Sequence, residues 1–217
     1  MTPAPIQTTN DDTLAAALAG LAPILGETPE QAGAATTPGA LRAAATYYAS
    51  IGWPVFPLRP GAKLPLFSSA HDPGNPCKGE CGQLGHGLWD ATTDPAIVAA
   101  WWDAEPWANI GLRTGDRFDV VDLDVKPDKG IDGREGFNEL CETTGTRPRV
   151  LASVQTANGG RHLYLAPTGR GNFTGIRPGV DYRGVGGYIV APPSRLAPDG
   201  RRYVWVTPPS TDLTGTA

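Results

Sequence analysis

The sequence holds little sulfur and little imidazole: three cysteines, one methionine and three histidines in 217 residues. Three cysteines (Cys77, Cys81 and Cys141) cannot build the disulfide framework of a small secreted protein, so a reducing cytoplasm is the expected compartment. No apolar run reaches the roughly 18 residues needed to cross a bilayer, so no membrane partner is expected. The best run, residues 14–25, is mostly Ala and Leu. No Lys or Arg precedes it, the first basic residue being Arg42, so a secretory signal with its positive start is not expected. Charged residues make up only 18% of the chain. Glycine (28) and proline (22) are abundant, but no repeat period accompanies them, which excludes collagen-like and solenoid architectures. Many turns and short elements are implied.

A net charge of −4 conceals a segregation. Residues 1–41 carry four acids and no base. Residues 87–142 carry thirteen acids and five bases, whereas residues 143–217 carry nine bases, all Arg, and three acids. An acidic block suits metal, and Arg forks suit phosphate oxygens, although a mixed solvated surface would give the same counts.

Residues 1–36, rich in Ala, Thr and Pro, read as a low-complexity N-terminal arm with a short helix over 14–25. Residues 207–217 (TPPSTDLTGTA) read as a C-terminal linker. The folded domain is therefore expected over residues 37–206. A helix opens at Thr37–Pro38 with Leu41, Ala44, Ala45, Tyr48 and Ile51 on its apolar side, and Gly52 ends it. Residues 53–58 read as an edge strand because of their prolines. Asp94 caps a second helix, and residues 132–141 form a third. Strands are expected over 109–113 and 117–125, then near 150–156, 161–166, 180–183, 187–191 and 202–206, with residues 180–190 as a hairpin. This mixture predicts an α+β fold with helices on one face of a sheet.

The segment Val120–Val121–Asp122–Leu123–Asp124–Val125 carries the clearest chemistry. Side chains alternate on a strand, so Asp122 and Asp124 share one face, roughly 6 to 7 Å apart at the backbone. Two such carboxylates repel unless a divalent ion joins them. Asp119 falls on the other face and is expected to be structural. Further on, Gly159–Gly160–Arg161–His162 is a glycine turn entering a strand on which His162 and Tyr164 share a face. Adjacent glycines let phosphate approach backbone N–H groups. Asp181, one of the few acids in the Arg-rich half, would complete a three-carboxylate metal site if the fold placed it beside Asp122 and Asp124. Solvated acids, a structural histidine and a turn-capping Asp remain the plainer alternatives.

His71, Cys77, Cys81 and His86 gather four nitrogen and sulfur ligands into sixteen residues, inside a loop over 71–88 rich in Gly, Pro and Asn. Tetrahedral Zn²⁺ takes such a set. Cys141, in the third helix, reads as a small buried apolar residue.

In order and spacing, six blocks together resemble the prim-pol domain of bifunctional DNA primase/polymerases, in the archaeo-eukaryotic primase superfamily. They are residues 47–66 (YYASIGWPVFPLRPGAKLPL), 87–95 (GLWDATTDP), 109–115 (NIGLRTG), 120–126 (VVDLDVK), 159–165 (GGRHLYL) and 180–194 (VDYRGVGGYIVAPPS). The resemblance implies an RRM-like catalytic sheet joined to a small α/β subdomain, with a zinc-binding loop insert. It implies template-directed synthesis of primers and DNA strands from nucleoside triphosphates by two-metal nucleotidyl transfer. Asp122, Asp124 and Asp181 would bind two catalytic Mg²⁺ or Mn²⁺ ions, and His162 would contact the incoming triphosphate. Arg113, Lys126, Gly160, Arg161 and Ser194 would be further nucleotide contacts. The implied partners are single-stranded DNA template, primer, NTP or dNTP, and a helicase domain or protein. Two other readings stay open: a metal-dependent nuclease, and a non-catalytic zinc-bearing module that binds single strands with Trp101, Trp102 or Trp107 as stacking platforms.

Overall fold

The computed structural model describes residues 36–209, Pro198 excepted. The expected N-terminal arm and its helix, and nearly all of the expected C-terminal linker, lie outside the described residues. Thr207, placed first in that linker, is instead the last residue of a strand.

Helix α1 (Pro38–Ser50) starts where expected. The Thr37 hydroxyl accepts from the Ala40 N–H at 3.2 Å, and Pro38 occupies the first turn. Its inner side buries Leu41, Ala44, Ala45 and Tyr48 completely. Gly52 takes the left-handed conformation (φ +80°) that turns the chain toward β1 (Val55–Leu58). Helix α2 (Pro95–Ala104) is capped by Asp94, whose carboxylate accepts from the Ala96 and Ile97 N–H groups. It buries Val98, Trp101 and Trp102, which are therefore core residues, not stacking platforms.

Two antiparallel sheets hold most of the strands. In the smaller, β2 (Asn109–Arg113) lies between the edge strand β1 and β10 (Tyr188–Ala191). The larger has six strands in the order β11 (Val204–Thr207), β6 (Ala152–Gln155), β7 (Arg161–Leu165), β3 (Asp119–Leu123), β9 (Val180–Arg183) and β8 (Phe173–Arg177). A short ribbon, β4 (Val125–Lys126) with β5 (Ile131–Asp132), leads into helix α3 (Gly133–Thr144).

Strand β3 divides two apolar clusters. Val120 points into the main core with Tyr164, Trp205 and Trp53. Trp53 stacks nearly parallel on both Tyr48 and Tyr164, at ring separations of 5.9 and 5.5 Å. Val121 and Leu123 point the other way and pack with Phe137 and Cys141 of α3, so Cys141 is the buried apolar residue expected. Asp119 shares this second face. Fully buried, it accepts from the Tyr182 hydroxyl at 2.5 Å and from the Thr168 N–H and hydroxyl, which confirms its structural role.

The expected hairpin over residues 180–190 does not form. Strand β9 belongs to the six-stranded sheet and β10 to the smaller one, so residues 184–187 carry the chain from one sheet to the other. Their backbone groups are satisfied by other segments: the Val185 N–H donates to Arg170 O and the Gly184 N–H to the Asn172 side chain. A Cβ on Gly184 would lie 2.1 Å from Arg170 O, so the crossing needs glycine. No helix among the described residues is long and apolar enough to cross a membrane.

Candidate active site and candidate metal centre

The central strands bring three of the expected residues into one row. In the antiparallel register Asp122 lies directly opposite His162 on β7 and directly opposite Asp181 on β9. Directly opposed residues share a sheet face, so both carboxylates and the imidazole point the same way. His162 Nε2 is 3.5 Å from Asp122 Oδ1. Asp181 accepts from the Gly175 N–H at 2.8 Å and from Arg183 Nη2 at 2.9 Å. The same Nη2 is 3.5 Å from Asp122 Oδ2. Asp124, just past the end of β3, forms an ion pair with Lys126 at 2.8 Å, and that hydrogen bond raises the Lys126 pKa.

Asp122 and His162 of this row line a cavity of about 300 Å³ together with Lys63, Arg183, Tyr188 and Tyr203, among others, whereas Asp181 and Asp124 do not line it. Both sheets contribute, since Tyr188 comes from β10. The loop carrying Lys63 is tied down: the Tyr188 hydroxyl donates to Lys63 O, and the buried Asn109 amide donates to Ala62 O and Arg195 O. His162 is buried beside Tyr203, with ring centroids 5.7 Å apart. Burial lowers its pKa against the opposing pull of Asp122, which favours the neutral imidazole. Burial also raises the Tyr203 pKa, and the charges of Asp122 and Asp124 add to the rise.

The remaining expected nucleotide contacts are dispersed. Arg113 pairs with Asp116 at 2.7 Å. Arg161 precedes His162 on the strand, and alternation turns it to the opposite face. Gly160 packs so tightly on β3 that a Cβ would sit 2.1 Å from Leu123 O. Ser194 is fully buried, and its hydroxyl accepts from the Ile110 N–H at 2.8 Å, so it pins β2. None of these four lines the cavity. Conversely, Arg183, Lys63 and Tyr203 were not expected there. Arg183 was within reach of the sequence: two residues from Asp181 on one strand, it must share its face. Lys63 lies in a loop and carries no periodic signal, whereas Tyr203 falls at the start of the strand expected near 202–206 and alternates with the buried Trp205.

The second constellation is remote in sequence from the first. Ligand atoms of His71, Cys77, Cys81 and His86 all lie within 4.8 Å of one another. Cys81 Sγ is 3.5 Å from His86 Nε2, and the two imidazole centroids are 5.1 Å apart. His71 Nε2 is buried without a hydrogen-bond partner. Two sulfur and two nitrogen donors that converge, one ring nitrogen among them orphaned, fit a tetrahedral ion. Sequence reading missed Asp90, which has an oxygen 3.4 Å from His86 Nδ1 and accepts from the Gly85 and His86 N–H groups at 2.9 Å. A carboxylate behind a ligating imidazole fixes the ring orientation.

No curated protein matches the chain by sequence. The resemblance read from the six blocks is nevertheless confirmed over most of the chain. Residues 44–215 match the N-terminal domain of bifunctional DNA primase/polymerases, the Prim-Pol domain, and the chain belongs to that family.

Proposed function

We propose that this domain synthesises primers and DNA strands on a single-stranded template from nucleoside triphosphates. The observation that supports this most directly is the row His162–Asp122–Asp181 at the edge of a cavity that also carries Lys63 and Arg183. In this reading Asp122, Asp124 and Asp181 hold two Mg²⁺ or Mn²⁺ ions, hard cations that favour carboxylate oxygens. Bound there, divalent ions would neutralise charge on the transferred phosphate and the departing pyrophosphate. His162 donates a hydrogen bond to the triphosphate. Lys63 supplies a positive charge on the same wall. The six-stranded sheet corresponds to the RRM-like catalytic sheet, and β1, β2 and β10 with α1 and α2 to the small α/β subdomain. The Cys/His loop holds Zn²⁺ as a structural brace. Template, primer and nucleotides are the ligands in a cytoplasmic setting, with a helicase domain or protein as the replication partner.

The test is incubation of the pure domain with single-stranded template, nucleotides and Mn²⁺. Products longer than the primer, or new primers, are expected, and Asp122→Asn or Asp181→Asn should abolish both without unfolding the chain. Shortened strands alone would make the domain a nuclease. Binding without any divalent-ion dependence or product would make it a single-strand-binding module.

A further inference from the structure

The guanidinium of Arg183 lies within ion-pair distance of both opposed carboxylates. One nitrogen, Nη2, is 2.9 Å from Asp181 Oδ2 and 3.5 Å from Asp122 Oδ2. Its strand fixes this placement, because Arg183 and Asp181 are i and i+2 on β9 and share a face. Without a cation the opposed carboxylates would repel across the β3–β9 ladder. Arg183 itself lines the cavity, alongside Lys63 and His162. Lys63 makes no ion pair among the described residues, so Arg183 alone of these two cations is engaged with the acids.

We propose that Arg183 is a displaceable counter-ion. It neutralises the Asp122–Asp181 pair in the free protein and leaves when a divalent ion binds. Once released, the same side chain is free to turn into the cavity and meet the anionic phosphates of a nucleotide, where its planar fork suits two oxygens at once. Ion and nucleotide binding are thereby coupled through one side chain: the ion frees Arg183, and phosphate keeps it from returning. By reciprocity, each ligand then strengthens the other by the same factor. The inference rests on the reading that Asp122 and Asp181 hold the divalent ion, but not on what reaction follows.

The test measures Mn²⁺ binding to the free 217-residue chain by electron paramagnetic resonance, without nucleotide. Arg183→Gln should tighten Mn²⁺ binding about fivefold, the effect of removing one ion-pair competitor. Lys63→Gln is the control, because it removes the same charge from the same cavity without touching a carboxylate. Its effect should be well under half of that on a logarithmic scale. Equal tightening in the two variants would reduce the effect to general charge and overturn the proposal. So would unchanged or weaker binding in Arg183→Gln with its circular dichroism spectrum intact. If neither the natural chain nor Arg183→Gln binds Mn²⁺, both this proposal and the carboxylate-site reading are overturned. Tighter binding in Arg183→Gln, together with a natural chain that never extends a primer, would support the proposal and reject only the polymerase reading.

Discussion

His162 Nε2 stands 3.5 Å from Asp122 Oδ1, and the two residues face each other across the β3–β7 ladder. One ring nitrogen is thus aimed at the proposed ion-binding edge, while Nδ1 is buried without a partner. His162→Ala should raise the nucleotide KM on the order of tenfold, the loss of one hydrogen bond to a charged group. The fall in kcat should be smaller. Steady-state extension kinetics check this; an unchanged KM would remove His162 from nucleotide binding.

Gly159 and Gly160 look equivalent in the sequence but differ in the fold. A Cβ on Gly160 would lie 2.1 Å from Leu123 O, a backbone atom that cannot swing aside. Gly159 has open space but a φ of +85°. Gly160→Ala should therefore separate β7 from β3, costing about 1–3 kcal/mol as an overpacked site does. It should also weaken nucleotide binding, because His162 moves with the strand. Gly159→Ala should cost about 1–2 kcal/mol from backbone strain and spare nucleotide affinity. Urea unfolding and nucleotide titration of both variants separate the two mechanisms. Equal nucleotide affinity in both would mean that the β3–β7 contact does not set the position of His162.

The Cys/His loop makes a prediction about stoichiometry. Elemental analysis of protein purified without chelator should find one zinc per chain. Cys81→Ser should lose it and lower Tm. Asp90→Asn keeps all four ligands but loses the carboxylate behind His86. It should weaken zinc about 10- to 100-fold in a competition titration with a chromogenic chelator. Full zinc occupancy in Cys81→Ser would show that the four side chains are not the ligand set.

Asp132 caps α3 and grips Arg134, and the Arg134 hydrogen bond holds its carboxyl at about 2. The unfolded chain takes up this proton near pH 4, as an ordinary Asp does. Its contribution to stability is therefore full above about pH 4 and is lost as the pH falls toward 2. Asp132→Ala should cost about 1 kcal/mol at neutral pH, the worth of a lost N-cap. That gap should narrow in urea titrations at pH 3. A gap that stayed constant would assign the cost to packing and not to charge.

The parts of this fold legible in the sequence were those with local chemical causes. Thr37–Pro38 and Asp94–Pro95 marked two helix starts because caps act within one turn. Alternation in residues 120–125 correctly separated Asp122 from Val121 and Leu123. Strand β8 was not seen, since Phe173–Arg177 is exposed at every position and has no buried face to impose a period. The 180–190 hairpin was misread for a related reason. Two strands joined by a short glycine-rich turn look alike whether they pair with each other or cross between sheets, and only Arg170, Asn172 and Thr114 decide it. In the candidate site, Asp122, Asp181 and His162 were legible as residue types in sequence order. The places of Ser194, bonded to the Ile110 N–H, and of Arg161, turned to the opposite sheet face, were not legible, because packing and strand parity depend on distant partners.

The place of β3 at the middle of its sheet has a consequence for how this protein is made. Its two neighbours, β7 and β9, follow it in the chain, so the strand bearing Asp122 leaves the ribosome well before residues 162 and 181. During that interval the strand has neither the imidazole nor the guanidinium that will flank it. Under the proposed function, a product truncated ahead of β9 would lack the carboxylate that faces Asp122 and should extend no primer.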